Sequence, residues 1–95
     1  MSAEGISIVA CSEDMAADAV RLLVRFFREE GFDGRAETLG ENLRGMLADP
    51  NCWTGLAVAG GDVLGIATVT AMRDIEHGRL SEIGDLYVLP EVRNK

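Results

Sequence analysis

The chain is 95 residues long, 47% hydrophobic and 26% charged, which bounds it at one domain or less with a single modest core. A net charge of −7 and an isoelectric point near 4.5 argue against nucleic acid, where phosphate neutralisation needs clustered Lys and Arg. The same acidity either draws in a cationic amine or simply keeps the chain soluble. Cys11 and Cys52 have neither the number nor the spacing of a disulfide framework or a zinc site, so both are expected as buried free thiols in a reducing cytoplasm.

Met1 to Gly5 carries Glu4 rather than a basic run and no continuous apolar core follows, so no secretory signal is expected. No apolar run approaches the roughly 18 residues of a membrane span. Ile6 to Ala10 begins with apolar–polar alternation and is rich in β-branched residues, which predicts a first strand at a sheet edge. Ser12 offers an N-cap oxygen, with Glu13 and Asp14 in the first turn, and a helix is predicted from Glu13 to Glu30. Ala16, Val20, Leu23 and Phe27 recur on one face of it, and Gly31 is placed to end it as a C′ residue.

A short connection through Phe32 and Gly34 leads to a second helix, Glu37 to Ala48, weakened by Gly40 and Gly45 and stopped by Asp49-Pro50-Asn51. Cys52 to Ala59 and Val63 to Met72 read as two strands around the tight turn Gly60-Gly61-Asp62, which makes a hairpin. A polar loop over Asp74 to Gly78 precedes a last strand, Arg79 to Leu89. Trp53, Phe26, Phe27 and Phe32 are expected in the core, although Phe32 lies in the connection between the helices. The order β-α-α-β-β-β, a single strand, two helices and an antiparallel meander, is an α+β fold rather than a doubly wound parallel sheet.

The end of the chain carries the one motif. Asp85-Leu86-Tyr87-Val88-Leu89-Pro90-Glu91-Val92-Arg93-Asn94-Lys95 resembles the strand that enters the acetyl-CoA site of the GNAT superfamily of N-acetyltransferases, with Val-x-Pro-x-x-Arg over Val88 to Arg93. In that superfamily the strand leads into an (Arg/Gln)-x-x-Gly-x-(Gly/Ala) loop whose backbone N–H groups hold a pyrophosphate at a helix start. The element order resembles the first half of the same fold, so the expectation is a partial GNAT domain over residues 1–95, cut inside its cofactor loop.

The resemblance implies an acetyl-CoA-dependent enzyme acting on a small-molecule or peptide amine, with acetyl-CoA as cosubstrate and no metal. It assigns the backbone of Leu86, Tyr87 and Val88 to the pantetheine arm and Arg93, Asn94 and Lys95 to the pyrophosphate loop. Arg93 is otherwise a plain surface charge, and the other three also read as ordinary sheet residues. The family's general base is often a carboxylate on the fourth strand, where Glu82 and Asp85 are the only ones. Glu82 is the candidate base and Asp85 the amine binder, against the alternative that both are solvated strand residues.

In a regular strand the two point to opposite faces. A bulge at Gly84 would bring them to one. The thiolate acid is not assigned to Tyr87, and the lone His77, near Asp74 and Glu76, reads as a solvated loop residue. A second function class stays open: a non-catalytic half-fold that forms homo-oligomers through the free edge of its last strand.

Overall fold

The computed structural model describes residues 5–93. Four strands, β1 (Ser7–Ala10), β2 (Cys52–Ala59), β3 (Asp62–Asp74) and β4 (Gly78–Val88), form one sheet in the order β1-β2-β3-β4, every neighbouring pair antiparallel. Two helices, α1 (Ala16–Glu29) and α2 (Ala36–Leu47), lie between β1 and β2 in sequence and pack on one sheet face. The expected α+β order is present.

Register decides which side chains meet the helices. Leu56 stands opposite Ile66, and Ile66 opposite Tyr87, so all three point to one face, where they are buried with Ala16, Ala19, Leu22 and Leu23 of α1 and Leu43 of α2. Leu56 is fully buried at the centre of this layer. The opposite face has no helix among the described residues. Ile8, Ile83 and Leu86 stay exposed there, and Ile8, Trp53 and Leu86 flank a shallow apolar trough of about 250 Å³ floored by Gly55, Ala57, Gly65 and Ala67.

Several local devices follow from the sequence. Gly31 takes φ +83°, its N–H reaches the Arg28 carbonyl and that of Phe32 reaches the Phe27 carbonyl, the paired bonds of a Schellman cap. Phe32 closes that cap edge-on against Phe27. Gly60 and Gly61 both have positive φ between the paired Ala59 and Asp62, a two-residue hairpin turn of the type that matches strand twist.

Four expectations need correction. The Ser12 side chain makes no cap; its carbonyl accepts from the Met15 N–H, and the entry to α1 is a 3-10 turn over Glu13–Met15. Trp53 is not core: its parity puts it on the open face, 46% exposed, with its indole lying across Gly55. Phe32, beyond the helix end, is 64% exposed, while Phe26 and Phe27 pack against the core as expected. Cys11 and Cys52 are free but only half-buried; burial and then Glu13 push the Cys11 thiol up.

Candidate active site

The site is organised by one irregularity in β4. Asp85 pairs with Thr68, but Ile83 pairs with Val69, so Gly84 is an extra residue with no partner on β3. A Cβ there would stand 3.1 Å from the Thr68 hydroxyl, which suits glycine. The insertion shifts parity: Glu82 stands opposite Thr70 and Asp85 opposite Thr68, so both carboxylates lie on the helix-bearing face with Tyr87. Thr68, 3% exposed, donates its hydroxyl to Asp85 Oδ2 at 2.8 Å and fixes that carboxylate, whereas Glu82 is exposed.

The edge of β4 alternates in the same way. The Leu89 N–H donates to the Leu64 carbonyl, so the backbone groups of Leu89, Tyr87 and Asp85 turn toward β3. Those of Leu86 and Val88 turn outward, and no strand pairs with them among the described residues. Of the three residues assigned to a pantetheine arm, two present their peptide groups to that edge; the peptide groups of Tyr87 belong to the sheet.

Tyr87 serves the other side. Its ring, 4% exposed, stacks on Phe26 with centroids 5.1 Å apart, and its hydroxyl donates to Glu29. Burial first, and then the hydrogen bond and charge of Glu29, push its phenol up to about 12. Arg93 folds back over this pair: its Nε–H donates to the Val88 carbonyl at 2.8 Å, its guanidinium lies 5.4 Å from the Tyr87 ring centroid, and one nitrogen is 3.8 Å from Glu29. Arg25 clamps Glu91 with two bonds of 2.8 and 3.0 Å, which hold the Glu91 carboxyl below its usual range. The segment after β4 is thus tied to α1 at two points. Asn94 and Lys95 lie outside the described residues.

Thr68 and Glu29 were missed by sequence reasoning. Thr68 had a signal, one of two hydroxyls, with Thr70, at the buried parity of an otherwise apolar strand; Glu29 had none, because its partners lie 58 and 64 residues away. His77 sits in the β3–β4 turn, where its backbone N–H donates to Asp74 Oδ1 at 2.6 Å.

No protein-family model matches the sequence, and no curated protein is similar to it. Solved structures do match. A possible acetyltransferase from Clostridium difficile 630 superposes with a TM-score of 0.83 at 19% identity, over 95% of this chain and 61% of that one. A GNAT family acetyltransferase from Staphylococcus aureus subsp. aureus USA300_TCH1516 gives 0.79 at 14% identity, over 96% and 67%. A predicted acetyltransferase from Clostridium acetobutylicum, solved with acetyl-CoA, gives 0.78 at 15% identity, over 95% and 64%. The chain therefore has the fold of part of the GNAT acetyltransferases and spans between 61% and 67% of the length of these three structures. No helix among the described residues is long and apolar enough to cross a membrane.

Proposed function

We propose that this chain forms the N-terminal part of an N-acetyltransferase that moves the acetyl group of acetyl-CoA to a primary amine. The observation that carries the proposal is the bulged β4, which places two carboxylates on one face and leaves the Leu86 peptide groups and the Val88 N–H without a strand partner at its edge among the described residues, the Val88 carbonyl being held by Arg93. An extended pantetheine arm is a natural partner for such an edge, as an added strand would be.

In this reading Asp85, held by Thr68, binds the incoming ammonium, and Glu82 takes a proton from it to free the lone pair. The amine nitrogen attacks the thioester carbonyl, an outward N–H of β4 stabilises the oxyanion, and collapse breaks the C–S bond. The products are an acetamide and the thiolate of coenzyme A, which takes up a proton. Arg93 releases Val88 and Glu29 to meet the pyrophosphate, with Asn94 and Lys95 beside it. The net charge of −7 supports a cationic acceptor, either a small molecule or a peptide.

The test is calorimetric titration of acetyl-CoA into the 95-residue chain, alone and with a complementing C-terminal half from a GNAT enzyme. Saturable binding that weakens in Leu86→Pro, which lacks the outward N–H, is expected in at least one arm. Absence of binding in both arms sinks the reading.

The unpaired β4 edge beside the exposed Ile83 and Leu86 favours a second reading, a module that self-associates without catalysis. Sedimentation velocity over a wide concentration range separates the two, since a strictly monomeric chain rules this one out.

A further inference from the structure

We propose that the turn end of the β3–β4 hairpin carries a phosphate-binding clamp formed by Arg73 and Arg79, with Asn51 and Ser81 beside them. The two arginines are direct cross-strand partners. The Ala71 N–H points away from β4 to the Asn51 carbonyl, at 2.7 Å, so by alternation Arg73 and Arg79 form a non-hydrogen-bonded pair, the type with the closest side chains. Two arginine side chains thus leave the same face from directly opposed positions, a like-charge pairing that is unfavourable by itself.

Nothing in the fold relieves it. Among the described residues neither arginine has a carboxylate within ion-pair distance, as is also true of the isolated Arg28 and Arg35, whereas Arg21, Arg25, Arg44 and Arg93 each have one. The nearest acid in sequence, Asp74, sits one position along the strand and so on the opposite face, where it accepts from the His77 N–H. Glu82 is on that opposite face too, across from Thr70. In a chain of net charge −7, this is a pair of cations without an ion-pair partner among the described residues, although the Asp49 carboxylate lies nearby on the Asn51 N–H.

The surroundings fit a tetrahedral dianion. A hollow of about 320 Å³ is lined by Asn51, Ala71, Met72, Arg73 and Arg79. The next rung holds Ala71, too small to fill the space, opposite Ser81, whose hydroxyl is on the same face as the arginines. Paired planar forks together with hydroxyl and amide donors are the donor set that phosphate oxygens take, in bidentate geometry that lysines cannot supply. The clamp is about 30 Å along β4 from Val88, at the usual rise of a strand. It is therefore separate from the edge proposed for the cosubstrate, and the ligand it suits is a phosphate monoester.

The experiment is an amide chemical-shift titration of the 95-residue chain with inorganic phosphate, ionic strength held constant with chloride. Saturating shifts confined to Asn51, Arg73, Arg79 and Ser81 are expected. Arg73→Gln and Arg79→Gln should each weaken binding by about tenfold or more. Each should also melt no lower than the parent without phosphate, because a repulsive pair has gone. Linear shifts without saturation, or undiminished binding in the double variant, would overturn the clamp. Acetyl-CoA titration of the same double variant keeps this result distinct from the fate of the acetyltransferase reading.

Discussion

Tyr87 is the residue at which most of the local chemistry converges, since it carries the Phe26 stack, the Glu29 bond and the Arg93 cation. Its folded phenol ionises near 12 against an ordinary value of 10, because burial and Glu29 both disfavour the phenolate. The unfolded chain releases that proton first. This contribution to stability is therefore complete below pH 10 and is lost as pH rises toward 12. Urea midpoints measured across that window should fall for the parent and fall less steeply for Tyr87→Phe; equal slopes would show that the phenol does not titrate late. Gly55 poses a steric question. A Cβ there would clash with the six-membered ring of Trp53, so Gly55→Ala should swing the indole outward at a cost of about 1–3 kcal/mol. Trp53 is the only tryptophan, so its emission should shift to the red in Gly55→Ala. An unshifted spectrum would mean that the ring does not rest on Gly55.

Elements were legible in the sequence wherever a short-range signal set them. Cys52–Ala59 carries β-branched and apolar residues up to a Gly-Gly turn, and β2 has those bounds. Gly31 announces its own Schellman cap because few other residues accept φ +83°. The bulge at Gly84 was half legible: glycine marks where one can form, but only pairing with β3 fixes the parity that puts Glu82 beside Asp85. Trp53 was misread because a large apolar ring was assigned to the core by type, whereas strand parity assigns it to a face. Ties between α1 and the segment after β4 leave no local pattern at all. Leu56 shows how far one central strand position matters: fully buried between helices and β3, it should cost about 2–5 kcal/mol as Leu56→Ala. Thermal melting that stayed within a few degrees of the parent would contradict its place at the centre of the core.

A domain of this size withdraws only about 60–65% of its chain's surface from water, and among the described residues one face of the sheet carries no helix. Ile8, Ile83 and Leu86 are each more than 60% exposed on that face, and the trough between Ile8 and Leu86 is apolar. Contiguous apolar surface with an unpaired strand beside it favours association. Concentration-dependent sedimentation is therefore expected, and one position separates its two causes. Leu86 presents its side chain to the open face and its peptide N–H to the free edge. Leu86→Lys should weaken association through the face while leaving strand pairing possible. Leu86→Pro removes the N–H at an edge position that tolerates proline and should weaken association through the edge. If only the lysine variant becomes monomeric, copies meet face to face and the β4 edge stays available for an acyl carrier. If only the proline variant does, self-pairing and pantetheine compete for the same peptide groups, and acetyl-CoA should dissociate the oligomer. If both variants sediment like the parent, neither surface holds copies together.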